Sequence, residues 1–164
     1  MRTFFLLLCL ANIVTAAAAV WVMPDPMATH FGRDHLADGF MSPAEYAALM
    51  GGFVVFLAMV FLVMPRISHR IPARRWNLPN RDYWLSEEHR PETMRRLCSF
   101  LDVIGFATML FFLLVQWQVF HANQAAPPRL NPALFWPSLV AFFTVTITLS
   151  IRMIRSFRLP KKTE

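Results

Sequence analysis

Two of the five histidines and four of the ten acids fall between Pro24 and Glu45, with apolar runs on either side. His30, Asp34, His35 and Asp38 are the side chains whose types and spacing could do chemistry. Imidazole and carboxylate groups can ligate zinc, exchange protons or order a loop by bonding its backbone. A neutral His30 offers one donor and one acceptor, and a charged one two donors. Pairing with Asp34 or Asp38 would favour the charged form. The spacing matches no established zinc motif. There is also no nucleotide-binding glycine motif, no serine-centred elbow and no HExxH. The expectation is therefore a ligand- or partner-binding loop of His30, Phe31, Asp34, His35, Asp38 and Gly39, with no catalytic residue, metal or cofactor. Asp38-Gly39 reads as its turn. The alternative is a metal protein or membrane enzyme using His30, Asp34, His35 and Asp38, with His121 from a second loop.

The elements that position this loop are apolar. The chain of 164 residues is 56% hydrophobic and 16% charged, against about 25% charged in ordinary globular chains. One domain of all-α integral membrane class is expected, with four transmembrane helices near 3–23, 43–64, 97–120 and 133–151. The first run carries no charge, and as a helix it would be about 31 Å long, enough to cross a hydrocarbon core. Arg2 ahead of a Leu/Phe run and four alanines also fits a cleavable signal peptide. The second run opens on Ser42-Pro43-Ala44-Glu45, a capping box with proline at the first helical position, and Pro65 and Arg66 close it. Gly51-Gly52 would admit a neighbouring helix at close range. Asn131-Pro132 starts the fourth run in the same manner, with Pro137 as a kink or a second start. Cys9 and Cys98 lack a CxxC partner and read as buried thiols.

Asp102 is the one acid inside a span and a candidate for function by that fact alone. With Gln116 and Gln118 it would line the pathway of a small transporter or channel subunit, a further alternative. The alternating Thr144, Thr146, Thr148 and Ser150 can bond their own backbone carbonyls.

Four spans place the loop 24–42 and the link near 121–131 on one side, and the loop 65–96, the tail 152–164 and the N-terminus on the other. Of the sixteen Lys and Arg, fourteen lie on the second side, and only Arg33 and Arg129 on the first. The positive-inside rule makes both termini cytoplasmic and the His/Asp loop extracytoplasmic. The net charge of +6 is then orientation chemistry rather than a nucleic-acid surface. The cytoplasmic loop interleaves arginines with aromatics, and Asn77, Pro79, Tyr83 and Trp84 are its candidate site residues. Its arginines are expected to face lipid headgroups.

The run Met23-Pro24-Asp25, then Thr29-His30-Phe31-Gly32, then Asp38-Gly39 and Ser42 resembles the signature of a bacterial membrane family. This is the domain-of-unknown-function family numbered sixteen forty-eight, the module that also begins the SdpI-type immunity proteins. The resemblance spans residues 20 to 46. Two positions depart from it: His35 stands where the family usually has glycine, and Ala37 where it usually has proline. A second block, Asn77 to Leu85 with Glu88 and Ala122-Asn123, is similar to longer members with the same four-helix plan. The resemblance implies a bacterial inner-membrane protein acting through the outer loop.

The expected function is a non-enzymatic multi-pass membrane protein, a sensing, immunity or accessory factor. Its partners are the lipid bilayer and a membrane protein or second copy of itself, with no nucleic acid.

Overall fold

The computed structural model describes residues 2–159. It contains helices α1 (Arg2–Val22), α2 (Pro43–Ser68), α3 (Arg81–Trp84), α4 (Arg90–Ala122) and α5 (Pro132–Ser156), and strands β1 (Met27–Phe31) and β2 (Ala37–Met41) between α1 and α2. Helices α1, α2, α4 and α5 are each long and apolar enough to cross a membrane. The spans are thus where the apolar runs place them, but three outlast their expected bounds. α2 continues past Pro65 to Ser68, where the Arg66 guanidinium donates to the Leu62 carbonyl and the Ser68 hydroxyl to that of Pro65. α4 starts at Arg90, with Pro91 in its first turn, where a missing N–H costs nothing. α5 runs unbroken through Pro137. Of the tail expected over 152–164, residues 160–164 lie outside the described residues.

The expected ordered loop is a β-hairpin, so the chain is not wholly α. β1 pairs antiparallel with β2, with irregular register on either side of His30. The turn is not at Asp38-Gly39, which lie inside β2. It is at Gly32–His35, where the His35 amide donates to the Gly32 carbonyl at 3.0 Å and the Gly32 amide to that of Leu36 at 2.9 Å. His35 closes this turn at φ 65°, a left-handed conformation that glycine adopts without strain. Gly39 meets a different need: a Cβ there would lie 2.8 Å from the His30 Cβ.

α1 packs against both α2 and α4, while α5 packs chiefly on α4. Ala16 and Ala19, both fully buried, let the α1 backbone come close to its neighbours. The expected contact glycines are not the ones used. Gly51 and Gly52 have open space where a side chain would stand. Gly105 is the constrained one, since a Cβ there would meet the Phe61 ring at 2.9 Å and that of Phe5 at 3.2 Å. Mid-bundle, Phe5, Cys9, Val54 and Met109 form one buried cluster. Cys9 is a buried free thiol and Cys98 a half-buried one. Asn12, fully buried on α1, donates through Nδ2 to the Leu8 and Met109 carbonyls and accepts at Oδ1 from Gln116 Nε2 at 2.8 Å.

Away from the hairpin, the segment joining α2 to α4 carries a small core of its own. Trp84, Leu85, Met94, Leu97 and Phe157 are buried together. Asn80 and Trp84 both donate to the Phe157 carbonyl, at 2.9 and 2.8 Å, which fastens this segment to the end of α5.

Candidate functional site

The hairpin is bonded to the helices behind it. Met27 and Ala28 of β1 are fully buried, so their backbone groups need partners inside the protein. Asn123, just past α4, supplies them: Nδ2 donates to the Ala28 carbonyl at 2.8 Å, and Oδ1 accepts from the Ala28 amide at 2.7 Å. The α4–α5 link adds more. The Leu130 amide donates to the His35 carbonyl at 3.0 Å, and the Ala37 amide to that of Pro128 at 3.1 Å. Leu36 and Arg129 form a bridge between the two segments. The loop 24–42 and the α4–α5 link therefore share one end of the bundle.

At that end the Ser42 capping box forms as its spacing predicts. Ser42 Oγ accepts from the Glu45 amide at 3.2 Å, and Glu45 Oε2 accepts from the Ser42 amide at 2.9 Å. The helix start is thereby set directly after β2, and the hairpin has little slack against α2. Below β1, Tyr46 packs with Ala19, Met27 and Val119.

Hairpin, α4, α5 and link line an open cavity of about 650 Å³. Phe31, Val115, Val119, Leu130, Phe135 and Trp136 form its apolar lining, and His30, Arg33, His35 and Asp38 its polar lining from the hairpin. Gln118, 6% exposed, lines it from α4. Its Nε2 donates to Ser138 Oγ at 3.2 Å, while its Oε1 is buried with no donor.

The candidate residues divide accordingly. His30 and Asp38 are brought together, Nδ1 to Oδ1 at 2.5 Å, both well exposed. Asp34 Oδ1 instead accepts from the Leu36 amide at 3.2 Å. Phe31 and His35 line the cavity, and Gly39 lies under His30. His121 does not join them: it is exposed and faces Gln124 at 3.2 Å. Among the described residues, no three His, Cys, Asp or Glu side chains are placed to hold a metal ion.

Asp102 lies at the other end, in a small cleft with Arg2, Phe5, Phe61, Leu62 and Leu101. Trp84 is a core residue, and Tyr83 packs edge-on against Trp84 and His89, with centroids 5.1 and 4.2 Å apart. Asn77 and Pro79 are exposed. Two arginines of that segment are held by protein rather than turned to headgroups. Arg96 binds Glu92 and the Ser156 carbonyl and lies 4.8 Å from the Trp84 ring centroid, and Arg90 donates to the His69 and Ile71 carbonyls. The hydroxyls of α5 serve the helix itself, Thr146 donating to Phe142 and Ser150 to Thr146.

Asn12 is a further residue that matters here, and Gln118 and Asn123 take roles other than those their positions in the sequence suggest. Asn12 is a lone amide in an apolar run, and that is its only signal. Gln118 and Asn123 belong to a polar cluster ending the third run, without any mark of which one reaches the hairpin.

Fold and site define a class: a four-helix chain with membrane-spanning character, carrying a hairpin over a cavity at one end. No protein-family model matches it, and neither the curated proteins nor the solved structures contain a match.

Proposed function

We propose that the chain is a non-enzymatic multi-pass protein of a bacterial cytoplasmic membrane, a sensing, immunity or accessory factor that acts by binding at its hairpin. One observation carries this reading: a hairpin tied down by Asn123 and the α4–α5 link forms one wall of a largely apolar open cleft of about 650 Å³. A cavity of that size, apolar with a few convergent polar groups, suits a ligand site. The exposed His30–Asp38 pair joins β1 to β2 across the hairpin through one contact, Nδ1 to Oδ1.

Charge supports the orientation. Of sixteen Lys and Arg, only Arg33 and Arg129 belong to the hairpin and the α4–α5 link. The hairpin then faces outward and both termini lie in the cytoplasm. The resemblance of residues 20 to 46 to the family-sixteen-forty-eight module accords with an outward-facing role. The bilayer surrounds the helices, and their exposed apolar faces suit a membrane-protein partner or a second copy.

The test uses Ala126→Cys on the link and Arg74→Cys at the other end, each with Cys9 and Cys98 changed to Ser. A membrane-impermeant maleimide applied to intact cells is expected to label position 126 and to reach position 74 only after permeabilisation. A photoreactive amino acid replacing Phe31 is expected to give a discrete adduct in living cells. Labelling of position 74 from outside, or no adduct at position 31, overturns the reading.

A further inference from the structure

We propose that the groove between α4 and α5, at the end of the bundle away from the hairpin, holds one acidic phospholipid by its phosphodiester. The inference needs only that these helices span a bilayer, and it is independent of what the hairpin binds.

Charge makes the site. Arg95, Arg96, Ser99 and Phe100 of α4 and Ser156 of α5 line an open groove of about 470 Å³. Arg152 stands one turn before Ser156, so helical spacing puts it on the same face of α5. α4 carries two acids and α5 none. Both acids have a place: Glu92 binds Arg96, and Asp102 lies in the separate cleft with Arg2. Glu88, just before α4, faces His89 at 3.9 Å. Arg95, Arg152 and Arg155 are exposed and have no ion-pair partner among the described residues. The groove thus stays positive after the neutral Arg96–Glu92 pair is set aside.

Arg96 is spent on structure. It donates to the Ser156 carbonyl at 2.9 Å and lies 4.8 Å from the Trp84 ring centroid, which fixes α4 to α5 at this level. Arg95 is the guanidinium left for a ligand, and its paired N–H donors match the oxygens of a phosphate. Ser99, one turn on, brings a hydroxyl donor to the same face.

The order of side chains follows a lipid from head to chain. Arg95 and Arg96 come first, then Ser99, then Phe100, and the apolar middle of the span begins at Val103. α5 buries none of its residues, so the groove has its α5 wall on the outside of the bundle. A phospholipid reaches it from the bilayer without entering the protein. Basic pockets between membrane helices are where acidic headgroups bind.

The experiment uses the full chain purified in a neutral detergent and titrated with dioleoylphosphatidylglycerol, with adducts counted by native mass spectrometry. One saturable site is expected. Dioleoylphosphatidylcholine, with the same phosphate and chains but no net charge, should bind roughly tenfold more weakly. Arg95→Gln and Arg152→Gln should each weaken the acidic lipid by a similar factor. Arg74→Gln, which removes an exposed arginine outside the groove, should keep wild-type affinity. The lipid-free Arg95→Gln protein should melt with wild type, because Arg95 has no ion pair to lose, and that separates lost binding from lost fold. Saturating lipid should then raise the melting temperature of wild type more than that of the variant. No saturable site, equal affinity for the two lipids, or an Arg74→Gln loss as large as that of Arg95→Gln would each overturn the proposal. Displacement of the lipid by inorganic phosphate alone would also overturn it, by assigning the groove to a free anion.

Discussion

Asn123 binds both backbone groups of Ala28, at 2.7 and 2.8 Å, and so occupies the place a third strand would take beside β1. The same amide donates to the Val119 carbonyl at 2.9 Å, so one side chain joins the end of α4 to the hairpin. Neither leucine nor alanine could do this, and Ala28 has no water to turn to, being fully buried.

Asn123→Leu should therefore orphan the Ala28 amide and carbonyl, at a cost of about 1–3 kcal/mol for each group left unpaired. The melting temperature in detergent should fall, and trypsin should cut after Arg33 much faster than in wild type. A variant that melts normally and resists trypsin at Arg33 would mean that the link alone holds the hairpin.

The buried amide pair between α1 and α4 allows a sharper test. Hydrogen bonds between membrane helices average only about 0.6 kcal/mol, whereas a buried polar group stripped of its partner costs about 1–3 kcal/mol. Asn12→Leu alone should thus be clearly destabilising, since Gln116 Oε1 already lacks a donor and its Nε2 would lose its acceptor. Adding Gln116→Leu should restore most of the loss. A double-mutant cycle in detergent melts reads this directly, and strictly additive losses would contradict it.

Two glycine substitutions should go opposite ways. Gly105→Ala places a methyl 2.9 Å from the Phe61 ring, and overpacking of this kind costs about 1–3 kcal/mol. Gly51→Ala meets nothing within 4 Å and should stabilise by up to about 1 kcal/mol through helix propensity. Equal melting temperatures for the two variants would show that α1, α2 and α4 are not packed as described.

Ser42→Ala removes the acceptor for the Glu45 amide and should cost about 0.5–2 kcal/mol. Because α2 starts directly after β2, hydrogen exchange should rise in both the first turn of α2 and the end of the hairpin. Exchange confined to α2 would mean that the cap does not couple them.

Local chemistry was legible from residue order alone. Apolar runs show themselves as spans because a bilayer demands a minimum apolar length. The Ser42 box and the Asn131 cap could be read because a cap joins residues three or fewer apart. The sharing of one end by hairpin and link followed from counting spans, and the bonds of His35 and Ala37 to the link accord with it.

What spacing could not supply were contacts between residues far apart in the chain. Asp38-Gly39 has turn composition, yet the turn formed at Gly32–His35, where the link behind it accepts and donates bonds in that register. Gly51-Gly52 carries the small-residue signal, but the helix contact fell to Gly105, because side-chain volume on α1 and α2 decides which glycine is pressed. Asn12 finding Gln116 and Asn123 finding Ala28 are pairings across 104 and 95 residues. A sequence names the groups that must be satisfied. Which distant group satisfies each is decided only when the helices pack, since burial is what makes an unpaired amide costly.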